Sequence, residues 1–260
     1  MNVLGKQDLN DVLMQLRLHG VSNAWAIQDL TLWPDRTKFL YVKNSDSFSY
    51  VLISGHPASH GHPTIIASGE PTAVDTLLRE ADIKGPFVIR ETSVHLSSVI
   101  KAMYPSVKIY EEQRMDVTKN TYLPKHKGKA RQLTFADVEA LAQFFGAPPQ
   151  AAGEFMGWLK GARAFFGVYE EGRLAAIGSS MVSVPEAWNL VSIETHQDFR
   201  RKGYATEVTS SLVERALNET ATVTVTVVKD NTPAIRTYEH VGFKFVEDRI
   251  WVDHGTGSTP

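Results

Sequence analysis

The strongest constraint in this sequence is a strand-like run that leads through a short basic loop directly into an amphipathic helix. The run is Leu190–Thr195, the loop ends in Arg-Arg-Lys-Gly at 200–203, and a helix is predicted from Tyr204 to Leu217. Spacings of three and four residues give that helix one apolar face, formed by Ala205, Val208, Leu212 and Ala216. A strand, loop and helix in this order are typical of folds in which strands and helices pack as layers.

The loop has the chemistry of an anion site. The first amides of a helix have no acceptors within the helix, and they lie at the positive end of its dipole. Gly203 and Ala205 let an anion approach the backbone, and the side chains of Arg200, Arg201 and Lys202 add positive charge. The sequence therefore predicts a phosphate or pyrophosphate site, although it contains neither a P-loop nor a GxGxxG motif. An ordinary strand-to-helix turn with solvated basic residues is the alternative.

Both halves of the chain alternate between helix and strand patterns, and they are similar in size. In the first half, helices are predicted from Leu9 to Leu18, Ala73 to Ala81 and Ser93 to Met103, and strands at Phe39–Val42, Tyr50–Ile53, Thr64–Ala67, Phe87–Ile89 and Val107–Met115. In the second half, strands are predicted at Phe165–Tyr169, Leu174–Ser179, Leu190–Thr195, Val223–Val228 and Phe245–Val252, and helices at Phe135–Leu141, Tyr204–Leu217 and Pro233–Val241. The alternation predicts an α/β or α+β fold, and one interpretation is that the first half is a degenerate copy of the second.

A basic segment separates the two halves. It reads Leu-Pro-Lys-His-Lys-Gly-Lys at 123–129 and has no apolar periodicity, which is typical of a linker. The predicted organisation is an N-terminal α/β domain at 1–122, a linker at 123–129 and a C-terminal domain at 130–254. The alternative is that the segment is a basic patch for an anionic ligand.

Composition excludes several classes of function. The chain has 27 Lys and Arg against 29 Asp and Glu, a formal net charge of −2, so it has no global basic field to hold nucleic acid or an anionic membrane. It has no cysteine, which excludes disulfides, thiolate zinc sites, iron–sulfur clusters and a cysteine nucleophile. No apolar run approaches the roughly 18–20 residues of a membrane span. We therefore expect a cytoplasmic protein with no nucleic-acid or membrane partner.

A second informative segment begins with Asp-Asn-Thr-Pro-Ala, directly after the next predicted strand. Thr232 is the predicted N-cap of a helix whose first residue is Pro233, and Gly242 is the predicted end of that helix. Asn231 then lies at the strand end, beside the start of the preceding helix if the two strands are neighbours. Tyr238 lies about two turns along the short helix.

Together the two segments resemble the GNAT superfamily of acyl-CoA-dependent N-acyltransferases, over about residues 130–252. Arg-Arg-Lys-Gly-Tyr-Ala at 200–205 fits the family's Arg/Gln-x-x-Gly-x-Gly/Ala pyrophosphate loop. The match to its Asn-x-x-Ala-x-x-x-Tyr-x-x-x-Gly-Phe block is made by Asn231, Ala234, Tyr238, Gly242 and Phe243. The resemblance implies a GNAT-like mixed sheet flanked by helices. The sequence is also similar to the branch that contains the C-terminal domain of glycine N-acyltransferases.

The resemblance implies a role for each matched residue, with acetyl-CoA as the co-substrate. The backbone of Ile193, Glu194 and Thr195 should pair with the pantetheine arm. The pyrophosphate should be held by amides of the loop and the first helical turn, at Arg200, Arg201, Lys202, Gly203, Tyr204, Ala205 and Thr206. Asn231 should contact the cofactor arm, and Tyr238 should protonate the departing CoA thiolate. The implied reaction is direct attack of an unprotonated amine on the thioester, which suits a chain without cysteine.

The resemblance is incomplete at the positions that supply the general base in the family. Some family members carry Glu five residues before the Asn, where this chain has Thr226, and other branches take the base from the strand position that is Asn189 here. Neither side chain accepts a proton in the usual way. Glu194 and His196 lie close to the expected site, so Glu194 is the candidate catalytic base and His196 its rival, acting directly or through water. Alternatively, Glu194 is a structural hydrogen-bond acceptor and His196 a solvent-facing loop residue.

Three histidines, His56, His60 and His62, fall in one short segment that is rich in Gly and Pro. Imidazoles bind zinc or nickel, but no Asp, Glu or Cys lies within the segment. A polar surface loop is the preferred interpretation, and no metal site is predicted.

The predicted function is transfer of an acetyl or short acyl group from acyl-CoA to the amine of a small molecule or peptide. The alternative is a non-catalytic acyl-CoA-binding sensor or regulatory protein, which the threonine at position 226 favours. The predicted partners are acetyl-CoA and an unidentified amine acceptor, and a homodimer is left open. The N-terminal half has no pyrophosphate loop of its own, so its predicted role is to shape the acceptor pocket or a dimer interface.

Overall fold

The computed structural model describes residues 2–5, 8–45, 47–55, 61–148 and 152–260. The chain divides into two compact units, and neither is a continuous segment. Unit 1 comprises Met1–Arg114, Thr226–Asp230 and Val246–Pro260, and unit 2 comprises Met115–Val225 and Asn231–Phe245.

This division differs from the domain limits expected from the sequence. Residues 115–129 fall within unit 2, and two segments from the C-terminal half fall within unit 1. A chain that began at residue 130 would therefore lack part of unit 2. The limits 1–122 and 130–254, as limits of independently folding domains, stay a prediction.

Unit 1 is a mixed sheet flanked by helices. Its strands are β1 (Asn2–Val3), β2 (Lys38–Lys43), β3 (Phe48–Ile53), β4 (Thr64–Ser68) and β5 (Phe87–Ser93), and its helices are α1 (Leu9–Arg17), α2 (Ala24–Leu32), α3 (Pro71–Ala81) and α4 (Ser97–Met103). The strands follow one another in that order across the sheet, and β4 and β5 are the parallel pair among them. The strand β6 (Lys108–Thr118) follows α4, and the final strand β12 (Lys244–His254) pairs antiparallel with β5.

Unit 2 has the same architecture. Its strands are β7 (Ala130–Gln132), β8 (Ala164–Glu170), β9 (Arg173–Ser183), β10 (Trp188–Thr195) and β11 (Thr222–Val228), and its helices are α5 (Val138–Phe144), α6 (Ala152–Gly161), α7 (Tyr204–Leu217) and α8 (Thr232–Val241). The strands again lie in chain order, antiparallel except for the parallel pair β10 and β11. The last three residues of β11 belong to unit 1.

The element order therefore occurs twice in the described chain. From β1 to β6, and again from β7 to β12, the chain forms a strand, two helices, three strands, a helix, a strand, a helix and a strand. In both copies the helix between the fourth and fifth strands joins two parallel strands. The expected mixed α/β fold is confirmed, and this order agrees with the interpretation of the first half as a second copy.

Each unit has its own apolar core. In unit 1 the inward face of α3, formed by Val74, Leu77, Leu78 and Ala81, packs against sheet residues that include Val51 and Ile65. In unit 2, Leu141 and Ala142 of α5 and Phe155 of α6 pack with Phe165 and Ile177. Because helices cover the faces of each sheet in this way, polar functional side chains are expected at the ends of the strands.

The segment expected to be a linker, residues 123–129, is fixed to helix α7. The backbone N–H groups of Lys125 and His126 donate to Ser210 Oγ at 2.9 and 3.2 Å. Those of Lys127 and Lys129 donate to the buried carboxylate of Glu207 at 2.7 and 2.6 Å. The segment has no regular secondary structure, but its hydrogen bonds make it part of unit 2 rather than a free connection.

Of the helices in the described part of the chain, none combines the length and the apolar character that a bilayer crossing requires. The cytoplasmic location expected from the sequence stays a prediction.

Candidate functional site

The loop predicted to bind pyrophosphate leads into helix α7, and the first turn of that helix is uncapped. Gly203 is the N-cap residue, with φ of 82°, and its helix start has no side-chain cap. The amides of Tyr204, Ala205 and Thr206 therefore have no acceptor within the helix. Arg201 also lies in the left-handed region, with φ of 62°, a conformation that costs a non-glycine residue about 1 kcal/mol or more. Three free donors thus converge at the positive end of α7.

The space in front of these donors is open. A methyl group placed on Gly203 would meet no atom within 4 Å. Arg200, Arg201 and Lys202 are exposed beside it. At the end of β10, the hydroxyl of Thr195 is buried and has no hydrogen-bond partner among the described residues. Free amides, an open approach, three cations and an orphaned hydroxyl fit a ligand that carries phosphate groups, such as CoA.

Strand β10 is irregular where the pantetheine arm is expected to pair. Its register against β9 shifts between Val191 and Glu194, and Ser192 between them has φ of 54°. Within unit 2 its parallel pairing with β11 runs from Trp188 to Leu190. Because a bulge changes the direction of the residues that follow it, this one sets the orientation of Ile193–Thr195. The pairing of these residues with a cofactor stays a prediction.

The corresponding connection in the first copy is built differently. Only Gly69 and Glu70 join β4 to α3, whereas residues 196–203 join β10 to α7. Glu70 is the N-cap residue of α3, and its N–H donates to Ser49 Oγ at 3.0 Å. A two-residue connection that carries an acid has neither the room nor the charge for a phosphate group. The expectation that the first half lacks a pyrophosphate loop stays a prediction.

The second motif lies next to the first, because α7 packs against both α8 and β10 in unit 2. The N-cap of α8 is Asn231, whose side-chain oxygen accepts the N–H of Ala234 at 3.3 Å. The expectation that Thr232 caps this helix is therefore wrong. Both residue types cap helices well, and the helix begins one residue earlier than predicted. Asn231 is exposed, so its amide nitrogen remains accessible for the expected contact with the cofactor arm.

Tyr238 has the environment of a proton donor. Its ring is 8% exposed and packs against Phe243, with ring centroids 5.7 Å apart. Burial raises the pKa of Tyr238 to about 12, so the phenol keeps its proton throughout the neutral range. Its hydroxyl makes no hydrogen bond within the described part of the chain. At neutral pH the phenol proton is therefore present and is not engaged in a hydrogen bond with a described residue.

Gly242 ends the helix that carries Tyr238, and it must be glycine. Its φ is 106°, and a methyl group there would lie 2.0 Å from the carbonyl oxygen of Thr121. We expect Gly242→Ala to lower the free energy of unfolding by about 3 kcal/mol or more, because backbone strain and a backbone clash add. Denaturant titration measures this loss. Gly172→Ala, at φ of 76° with open space around it, should show only the smaller cost of strain; equal losses in the two variants would contradict the clash.

The two positions that lack the family's base are both hydrogen-bonded. Asn189 is buried, and its side chain donates to Thr224 Oγ1 at 3.0 Å, which links β10 to β11. Thr226, in unit 1, donates its hydroxyl to Glu91 Oε1 at 3.0 Å. Asn189 therefore has a structural role. Thr226 is hydrogen-bonded to the carboxylate of Glu91, which the sequence did not identify as a neighbour. Glu91 is 135 residues away in the chain, and no local pattern connects the two.

Glu194 and His196, the two candidate bases, differ in their surroundings. Glu194 is exposed on β10, although the protein around it raises the pKa of its carboxyl above the usual range. His196 is half-buried, and its Nδ1 accepts the N–H of Asp198 at 3.4 Å as the N-cap of a short 3-10 turn. This contact gives His196 a structural role in shaping the loop before Arg200. The assignment of a base to either residue stays a prediction.

Among the described residues, no group of three His, Asp or Glu side chains is arranged to hold a metal ion. His56 and His60, two of the three histidines noted in the sequence, lie outside the described residues.

Residues 165–252 match the family model described as FR47-like protein. No curated protein matches the sequence. Among solved structures, the X-ray structure of a Drosophila protein matches with a TM-score of 0.71 at 11% identity, over 99% of both chains.

Two further solved structures carry descriptions of a function. A tandem GNAT protein from the clavulanic acid biosynthesis pathway has a TM-score of 0.60 at 13% identity, over 99% of this chain and 100% of its own. A GCN5-related N-acetyltransferase from Kribbella flavida has a TM-score of 0.60 at 14% identity, over 91% and 95%. The chain therefore has the fold of the GNAT superfamily. The likeness to the glycine N-acyltransferase branch stays a prediction.

Proposed function

We propose that this chain is an acyl-CoA-dependent N-acyltransferase that moves an acetyl or short acyl group from CoA to an amine. The observation that carries the proposal is the uncapped start of α7, where three free amides and three exposed basic side chains surround the open space at Gly203. A helix start of this kind binds phosphate groups. The matching connection in the first copy has an acid at its helix start, so the feature belongs to one copy.

In the proposed binding mode, the pyrophosphate of acetyl-CoA lies against the amides of residues 200–206. The backbone of Ile193–Thr195 would hold the pantetheine arm, and the orphaned hydroxyl of Thr195 would donate to it. Asn231, whose oxygen caps α8, would offer its amide nitrogen to the same arm. These contacts orient the thioester, and orientation lowers the barrier by reducing the entropy lost in the reaction.

The proposed chemistry is direct transfer. The lone pair of a neutral amine attacks the thioester carbonyl, the C–N bond forms, and the C–S bond breaks. The departing thiolate takes the proton of Tyr238, which is available because burial keeps the phenol protonated. The attacking nitrogen is positively charged after the C–N bond forms, and the proton it loses as the amide forms restores the phenol of Tyr238 through water. The amine must lose one proton for its lone pair to be free. Glu194 is the candidate acceptor in unit 2 for that proton, directly or through water.

The test is release of CoA thiol from acetyl-CoA by the full-length chain in the presence of a panel of small amines and peptides. Calorimetric binding of acetyl-CoA is measured on the same preparation. We expect micromolar to millimolar binding and thiol release that depends on one class of amine. Binding without thiol release from any amine would favour the acyl-CoA sensor instead, and absence of binding would contradict both functions.

A further inference from the structure

Strand β5 of unit 1 contains a bulge at Arg90. The register between β5 and β12 shifts between Ile250 and Val252. Two residues of β5, Arg90 and Glu91, therefore lie opposite the single residue Trp251. Glu91 has φ of 52°, a left-handed conformation that the surrounding structure must hold in place. Bulges of this kind re-aim side chains and are common beside functional sites.

The guanidinium of Arg90 is stacked on two tryptophans. Its central carbon lies 4.7 Å from the ring centroid of Trp25, in α2, and 4.7 Å from that of Trp251, in β12. Both rings are buried. Stacking uses the faces of a guanidinium, whereas its N–H groups lie in the plane and point outward from the edge. The two rings therefore fix Arg90 and leave its edge free to donate.

No described residue accepts from that edge. Arg90 makes neither a hydrogen bond nor an ion pair with any residue that the structure describes. Its side chain is half-buried, so solvent can still reach it, but burial lowers the pKa of its guanidinium. A charge that is partly desolvated and unpaired is costly to hold. The edge of Arg90 is therefore complementary to an anion.

The neighbouring charged groups do not neutralise Arg90. Glu247 forms ion pairs with both Arg114, at 2.6 Å, and Arg249, at 2.5 Å, so one carboxylate serves two guanidiniums. Glu91 acts on Arg90 electrostatically but forms no ion pair with it. Arg90 is thus the guanidinium of this cluster that lacks a counter-charge in direct contact.

Two further carboxyl groups act on Arg90, those of Asp29 in α2 and Glu112 in β6. They are 0% and 5% exposed, and neither forms an ion pair with a described residue. Burial raises the pKa of Asp29 to about 6 and is the main cause that raises the pKa of Glu112 to about 8. When both are neutral, three guanidiniums face two carboxylates, and one positive charge is in excess.

We propose that unit 1 binds a small organic carboxylate at Arg90, as a ligand of its own and independently of acyl transfer in unit 2. The guanidinium edge would donate two parallel hydrogen bonds to the two carboxylate oxygens, which is among the strongest pairings that arginine makes. The ligand supplies the counter-charge that Arg90 lacks. The bulge, the stacked rings and the surrounding charged groups all belong to unit 1.

Calorimetric titration of the full-length chain with sodium acetate and sodium propionate tests the site. Acetamide has nearly the same shape as acetate without the charge, and it serves as the uncharged counterpart. At pH 7 we expect a Kd of about 1 mM or less for at least one of the carboxylates, and no measurable binding of acetamide. Absence of carboxylate binding, or equal binding of acetamide, would overturn the proposal.

Binding should also take up a proton. A carboxylate that is bound near Asp29 and Glu112 favours their neutral forms and so raises the pKa of each. In the free protein both groups lose their protons between pH 6 and pH 9. The affinity should therefore fall by about tenfold or more over that interval. Titration at pH 7 in buffers of different ionisation enthalpy measures the proton uptake, and an affinity that is constant from pH 6 to pH 9 would contradict this site.

Two variants of Arg90 test the contact itself. Arg90→Lys keeps the charge without the planar edge and should weaken carboxylate binding by about tenfold or more. Arg90→Met keeps a long side chain to pack on the tryptophan rings and should abolish binding. The matched control is Arg79→Met in α3, because Arg79 is exposed and pairs with Asp75 at 2.9 Å. It should bind carboxylates as the wild type does, and equal losses in Arg79→Met and Arg90→Met would overturn the site.

Gly203→Glu distinguishes this site from the anion site of unit 2. It adds a negative charge at the start of α7, and it should leave acetate binding unchanged, because unit 1 contains no part of that loop. Acetate binding that is lost in Gly203→Glu and retained in Arg90→Met would locate the carboxylate at α7 and remove the proposed site. Circular dichroism checks that each variant is folded, and the proton uptake of the wild type tests the proposal without any variant.

Discussion

Gly203→Glu is expected to weaken binding of acetyl-CoA by about 10²–10³-fold. A carboxylate at this position would lie among the free amides of α7, about 4 Å from a bound phosphate group. Repulsion between two charges at that distance amounts to about 4 kcal/mol at the effective dielectric constant near a protein surface. The side chain would also fill the space that is open in front of Gly203. Isothermal titration of the full-length chain with acetyl-CoA measures the effect.

The control for Gly203→Glu must reproduce its backbone strain and its charge. Gly85→Glu does both, because Gly85 has φ of 73° against 82° for Gly203, and both positions face open space. Gly85 belongs to unit 1, between α3 and β5, whereas Gly203 belongs to unit 2. The control should bind acetyl-CoA within a few-fold of the wild type. Full binding by Gly203→Glu would show that the phosphate groups lie elsewhere.

The helices and strands around the proposed cofactor site could be predicted because each is indicated by a local sequence pattern. The amphipathic pattern of α7 gave its limits, Tyr204–Leu217, correctly from the spacing of four apolar residues. The hairpin of β8 and β9 was predicted from a glycine-containing turn between two apolar runs. Such signals depend on neighbouring residues only, and tertiary contacts did not override them.

Two helices escaped prediction for different physical reasons. In α2, residues 24–30 are all buried, so the helix has no polar face and shows no period of 3.6 residues. Helix α6 contains Gly153, Gly157 and Gly161, and glycine has a low helix propensity. Because α2 and α6 hold the same place in the two copies, their omission shortened both predicted halves equally.

The contact between Thr226 and Glu91 could not have been found from the sequence, because its hydrogen bond spans 135 residues. Burial along β6 is a second example. Glu112 is buried and its neighbour Glu111 is exposed. Strand alternation predicts that adjacent side chains lie on opposite faces, but it does not predict which face is buried.

Tyr238→Phe is expected to lower turnover by about 10–10³-fold while acetyl-CoA binding stays within a few-fold of the wild type. General acid catalysis contributes about 10²–10⁴-fold, and CoA thiolate is a tolerable leaving group without assistance, so the loss should lie at or below that range. The hydroxyl of Tyr238 has no hydrogen-bond partner in the described chain, so its removal strands no other group. The ring, which packs against Phe243, is retained, and the variant should fold normally.

The pH dependence separates a missing acid from a missing base. Because burial raises the pKa of Tyr238 to about 12, the wild type should keep the phenol proton from pH 6 to pH 10. The factor by which Tyr238→Phe lowers turnover should therefore be constant over that interval. Glu194→Gln, which removes a candidate base, should recover in part at high pH, where the amine is already neutral. Steady-state rates with one responsive amine, measured across this interval, distinguish the two patterns.

Tyr169→Phe provides the matched control for loss of a tyrosine hydroxyl. The hydroxyl of Tyr169 donates to Asp137 at 2.8 Å, and it adds to Arg131, whose hydrogen bond is the main cause that holds the pKa of Asp137 well below its usual range. Removing it should lower the free energy of unfolding by about 1–2 kcal/mol and leave turnover within a few-fold of the wild type. Tyr238→Phe should show the opposite combination, with stability retained and turnover lost. If Tyr238→Phe retains full turnover with its amine, Tyr238 is a packing residue, and the thiolate must take its proton from water.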